Sequence, residues 1–114
     1  MRPLVLFLFA LTALGLVLGG QRTLATGADP VTGKGLYGKH CLACHGPQGK
    51  GDGYKQFDPP VADLASPTVL KKPNSQLLRS IHEGRANTAM GAWKWVLSQE
   101  ETRDVLEYVL TIPR

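Results

Sequence analysis

The chain has 114 residues, enough for one domain at most, and its 13 Lys and Arg against 9 Asp and Glu give a formal net charge of +4. Residues 1–27 contain Arg2 and Arg22 and no acid, so the remainder is only mildly basic. That balance is too weak for a nucleic-acid binder and suits docking against acidic protein surfaces.

The first segment is a targeting signature. Leu4 to Leu18 reads LVLFLFALTALGLVL, follows Arg2, and is followed by small residues. A short basic region before an apolar core predicts a secretory signal peptide over residues 1–27, cleaved after Gly27 or after Gly20. Counting Gly19 and Gly20 brings the apolar run to the lower edge of membrane-spanning length, so a retained anchor is the alternative. The working domain is then residues 28–114, on the exported, periplasmic side.

Asp29 before Pro30 predicts an N-cap with proline at the first helical position, and a helix from Val31 to about Cys41. Gly33, Gly35 and Gly38 make its intrinsic propensity poor, so it needs tertiary packing to persist. The alternative is a glycine-rich linker. Gly33 and Tyr37 share a face, and a glycine there lets another helix cross at close range.

Cys41-Leu42-Ala43-Cys44-His45 follows. Two cysteines two residues apart with histidine directly after form the C-x-x-C-H pattern of c-type haem attachment. Each thiol adds across one porphyrin vinyl group, and the next residue, His45, then lies where its imidazole can ligate the iron. Zinc would need four ligands, and only His40, His45 and His82 are available to complete a site with this single cysteine pair. A thioredoxin-like pair needs a βαβ context that the chain lacks, and a structural disulfide would close a very tight loop. Export agrees with haem, because thioether haem is attached outside the cytoplasm.

The run Gly33-x-x-x-Tyr37-x-x-x-Cys41-x-x-Cys44-His45-Gly46 resembles the opening of a class I c-type cytochrome. The resemblance covers about residues 29–112. It implies a small all-α fold, with three to five helices around one covalently bound haem c, N- and C-terminal helices crossing, and axial ligation by histidine and methionine.

Gly46 to Gly53 (GPQGKGDG) cannot hold a helix or strand and lacks the Lys-Ser/Thr that a phosphate loop needs. It reads as a tight loop leaving the haem face. Pro59-Pro60-Val61-Ala62-Asp63-Leu64 is similar to proline-containing segments of the family, in which a proline carbonyl accepts the other ring N–H of the proximal histidine. The resemblance assigns that carbonyl to Pro59 or Pro60 and places Leu64 against the haem.

Asn74 or Ser75 can cap a helix to about Glu83, stopped by Gly84, with Leu77, Leu78 and Ile81 on its apolar face. His82 at its end reads as a solvated imidazole favoured by the helix dipole, with a sixth-ligand role as the alternative. Met90 is the only methionine besides the initiator and lies in a non-periodic loop. A thioether is a soft, neutral ligand for haem iron, and packing on the haem without a bond is the alternative. The family has a similar T-x-M-P-A-[aromatic] stretch. Gly91 stands where proline is usual, a departure expected to loosen the loop and weaken the Met90–iron bond.

Trp93, Trp95, Val96 and Leu97 read as apolar surface close to the haem. Ser98-Gln99-Glu100-Glu101 is a capping box opening a helix to about Thr111. Val105, Leu106, Val109 and Leu110 give its buried face, with Arg103, Asp104 and Glu107 solvated. Lys34, Lys39, Lys50, Lys55 and Lys94 either surround the exposed haem edge and steer acidic redox partners, or simply solubilise the chain.

The sequence thus points to an exported monohaem electron carrier, not an enzyme. Cys41 and Cys44 anchor the haem, His45 and Met90 ligate its iron, and Pro59, Pro60, Leu64 and Trp93 form its surroundings. Two alternatives stand beside it: a haem subunit or anchored domain of a larger oxidoreductase complex, and a haem-based gas sensor or weak peroxidase with a labile methionine.

Overall fold

The computed structural model describes residues 27–114; the signal peptide expected over residues 1–27 lies, Gly27 apart, outside the described residues. The described residues form five helices, α1 (Pro30–His40), α2 (Leu42–His45), α3 (Pro67–Leu70), α4 (Asn74–Glu83) and α5 (Gln99–Thr111), with a 3-10 turn at Trp93–Trp95. The described residues contain no strand, so the all-α architecture holds. No helix among them is long and apolar enough to cross a membrane.

The caps explain the helix ends. The Asp29 carboxylate accepts from the N–H groups of Val31 (3.0 Å) and Thr32 (3.2 Å), and from the Thr32 hydroxyl. These bonds satisfy donors that a helix leaves unpaired and hold the Asp29 carboxyl below the ordinary carboxylate range. At α5 the capping box is closed in both directions: Glu101 N–H donates to Ser98 Oγ at 3.1 Å and Ser98 N–H to Glu101 Oε2 at 2.8 Å. Ser98→Ala should therefore cost about 1 kcal/mol, read as a lower urea midpoint at unchanged slope. The α4 expectation is corrected by one residue. Pro73 is its N-cap and offers no side-chain bond, so Asn74 is already helical. The four-residue α3, capped by Ser66, was not foreseen.

The fold is held by α1 crossing α5 at Gly33. A Cβ on Gly33 would overlap the backbone carbonyl of Asp104 and stand 3.0 Å from Tyr108 Cβ, so only glycine lets the two backbones approach this closely. Tyr37, one turn on, is 2% exposed and meets the Tyr108 ring edge-to-face at 5.3 Å between centroids. Its hydroxyl donates to the Gly46 carbonyl at 2.6 Å, tying α1 to the residue after His45.

Asp104 is a second correction. It is buried rather than solvated, and its Oδ1 accepts from the Asp29 N–H at 2.7 Å. The residue that caps α1 is thus itself bound to α5, which accounts for a carboxylate on the inner face of that helix. Val105, Leu106, Leu77, Leu97 and Ile112 complete the buried apolar set.

Candidate functional site

Cys41 ends α1, its N–H donating to the Tyr37 carbonyl at 2.8 Å, and opens α2, its carbonyl accepting from His45 N–H at 2.9 Å. A helical turn places positions i, i+3 and i+4 on one face. Cys41, Cys44 and His45 accordingly line the same cleft, with both cysteines as free thiols. The glycine-rich loop folds back over this turn. Lys55, Gly53 and Gly51 donate their N–H groups to the carbonyls of Ala43 (3.0 Å), Cys44 (3.1 Å) and His45 (2.9 Å). The attachment turn is held on its outer side by backbone bonds, independent of side-chain identity.

The cleft has a volume of about 420 Å³ and runs between the helices, mostly apolar in lining. All eight residues singled out in the sequence border it: Cys41, Cys44, His45, Met90, Pro59, Pro60, Leu64 and Trp93. Trp93 also lies against His40, with ring centroids 5.3 Å apart. Its neighbours do not share this place. Trp95 (83% exposed) and Val96 (57%) face solvent, and Leu97 is buried away from the cleft. The 3-10 turn separates Trp93 from Trp95, because its three-residue period does not bring positions two apart to one side.

His45 Nδ1 lies 3.2 Å from the Ala62 carbonyl. A carbonyl can only accept, so Nδ1 carries the proton and Nε2 keeps a free lone pair. This corrects the assignment of that acceptor to Pro59 or Pro60. Leu64 N–H donates to the Gly49 carbonyl at 2.6 Å, which pins residues 61–64 against the glycine loop beside His45. The prolines lie earlier, on an exposed stretch. Burial pulls the His45 imidazole below its ordinary value, partly opposed by the bond to Ala62, so it is neutral at pH 7. Burial, with Cys44 adjacent, pushes the Cys41 thiol up to about 11.

Met90 enters the cleft from the loop between α4 and the 3-10 turn. His82 does not enter it. It borders a separate hollow between α4 and α5, and its Nδ1 is buried without a hydrogen-bond partner. The helix-end imidazole is thus half-buried rather than fully solvated, and it stands outside the cleft that His45 and Met90 border.

The charges at the cleft are few. None of Lys34, Lys39, Lys50, Lys55 and Lys94 borders the cleft. Lys94 instead pairs with Glu83 at 2.5 Å, a surface contact that lowers the Glu83 carboxyl and contributes little to stability. The basic groups at the cleft are Lys72 and Arg85, and no carboxylate borders it. Neither was found in the sequence, where nothing distinguishes them from other surface cations.

These residues fit a covalently attached haem. Two thiols and a neutral imidazole stand on one wall, a thioether is supplied by a second segment, the remaining lining is mostly apolar with His40, Ser80 and Thr88 among it, and its Lys and Arg groups are matched by no carboxylate, as a body carrying two carboxylates requires. The family model described as cytochrome C oxidase, cbb3-type, subunit III matches residues 28–109. No curated protein matches the chain.

Proposed function

The chain belongs to the cbb3-type cytochrome c oxidase subunit III family of cytochrome c domains, and we propose that it is an exported one-electron carrier in which His45 and Met90 fill both axial positions of the haem iron. It is a class I c-type cytochrome domain that binds one covalent haem c and serves haem-based electron transfer between redox proteins. When bound, the haem supplies Fe(III)/Fe(II) cycling.

The observation that carries the axial assignment is the convergence of His45 and Met90 on one cleft with the two thiols. Cys41 and Cys44 would hold the group by thioether bonds. The Ala62 carbonyl fixes the His45 tautomer, leaving Nε2 free as a donor. Met90 supplies the soft neutral donor. With His45 and Met90 both available to hold the iron, the chain would leave no donor position for a substrate, which favours a carrier over a peroxidase or gas sensor.

Met90→Ala tests this reading. The oxidised wild type should show the weak near-infrared sulfur-to-iron band and the variant should lack it. The potential should fall by on the order of 0.1 V, a fraction of the roughly 0.8 V that axial ligands control. The ferrous variant should also gain carbon monoxide binding. Identical oxidised spectra and potentials would remove Met90 from the iron.

The name of the matched family favours a second reading, in which this domain is the electron-transfer subunit of a larger oxidase. A protein purified under mild conditions that retains residues 1–27 and carries further subunits would mark that assembly. A processed chain purified alone would mark the free carrier.

A further inference from the structure

The loop that delivers Met90 is closed on itself by hydrogen bonds, and Thr88 is the centre of the closure. Arg85 N–H donates to the Met90 carbonyl at 2.9 Å, and Thr88 N–H to the Arg85 carbonyl at 3.3 Å. The Thr88 hydroxyl donates to the same Arg85 carbonyl at 2.8 Å and accepts from Met90 N–H at 3.1 Å. Both backbone groups of Met90 are thus held inside one ring of bonds, two of which pass through a single oxygen.

Ala86, Asn87, Thr88 and Ala89 are exposed, so burial does not fix them. Asn87 takes the left-handed backbone region, φ 60°, at the tip. Gly84 allows the ring to shut against the end of α4. A Cβ there would stand 2.6 Å from the Gly91 carbonyl carbon and 2.7 Å from the Met90 carbonyl oxygen. A side chain at Gly91 would find no neighbour to lean on, since a Cβ at that position meets nothing within 4 Å. The loosening expected from Gly91 is therefore offset upstream of Met90.

We infer that Thr88 is a positioning residue for Met90: its hydroxyl locks the Arg85–Met90 loop in the conformation that presents the thioether to the cleft, and so sets how readily an outside ligand displaces Met90 from the iron. The inference rests on the axial assignment of Met90. Thr88 is exposed at the border of the cleft and is not among the buried core residues, so its hydroxyl can be removed without opening the core.

The test is competition by imidazole in the oxidised holoprotein, followed in the near-infrared sulfur-to-iron band, for wild type, Thr88→Val and Thr88→Ser. Valine keeps the branched shape and loses both hydroxyl bonds, whereas serine keeps them. Thr88→Val should need roughly tenfold less imidazole to reach half-loss of the band, the scale of one to two exposed hydrogen bonds. Thr88→Ser should stay within about twofold of wild type, and the urea midpoints of all three proteins should agree. Equal imidazole midpoints in wild type and Thr88→Val overturn the inference, as does a Thr88→Ser protein displaced as easily as Thr88→Val. A wild type without the band overturns the axial assignment itself, and is distinguished from failure of the Thr88 inference by that absence.

Discussion

Replacing Gly33 with valine is expected to unfold the domain. The first side-chain carbon of any residue at that position would occupy the place of the Asp104 carbonyl, a backbone group that cannot swing aside as a side-chain tip can. Relief requires α1 and α5 to separate. Separation breaks the Asp29–Asp104 bond, parts the Tyr37 and Tyr108 rings, and draws the Tyr37 hydroxyl away from Gly46. Overpacking alone costs about 1–3 kcal/mol, and leaving the buried Tyr37 hydroxyl unpaired adds about 1–3 kcal/mol. A domain this small has roughly 5 kcal/mol in hand, so Gly33→Val should show no cooperative urea transition and little holoprotein. Gly35→Ala is the control on the same helix. A Cβ there meets nothing within 4 Å, and the exchange should stabilise by about 0.5–1 kcal/mol. If Gly33→Val unfolds at the wild-type urea midpoint, the helix crossing does not hold the domain together.

That some helix could cross closely at Gly33 was legible in the residues, for a physical reason, whereas the choice of the last helix as its partner was implied by the resemblance to class I c-type cytochromes. A glycine in a poor helix former, four residues from an aromatic, has few uses other than close approach. The Asp29 and Ser98 caps were legible for a similar reason: they are local, and the chemistry of an unpaired helix end admits few side chains. What escaped was non-local or written in the backbone. Every residue carries a carbonyl, so nothing in the sequence could select Ala62 over Pro59 or Pro60 as the partner of His45. Asp104 was placed in solvent by its charge, because its partner is a backbone N–H 75 residues away. Gly91 suggested a loose methionine loop, whereas the bonds that tighten it pass through Thr88 on the other side. Four of the side chains that border the cleft, Cys41, Cys44, His45 and Met90, could be read from the attachment pattern and the single available methionine. The bonds that orient them needed the fold.

Exchanging both cysteines for alanine should have the largest effect on the cofactor. Cys41 and Cys44 are the only thiols, and both border the cleft, so the double variant has no means of covalent attachment. Haem should then extract completely into acid butanone, and the denatured protein should give no haem-stained band. Each single variant retains one thiol and should keep a stained band. The fold should weaken as well. The apolar walls, Leu64, Leu70 and Ile81 among them, surround about 420 Å³ that no side chain of the domain fills. Once attachment is lost, only mass action keeps that space covered, and the stabilisation falls with the free haem concentration. Helical circular dichroism of the double variant should accordingly rise on adding haem and fall on dilution, a dependence the wild type should lack. The sign of the acid effect also follows. Burial holds the His45 imidazole below its ordinary value of 6.5, so the unfolded chain takes up the proton more readily. Stability from this group is complete above that value and is lost as pH falls through the lowered one, so the double variant should release haem on mild acidification while remaining indifferent to the same step on the alkaline side. A double variant that still shows a stained band, or keeps its helicity unchanged on dilution, would mean that the thiols neither attach the haem nor hold it in place.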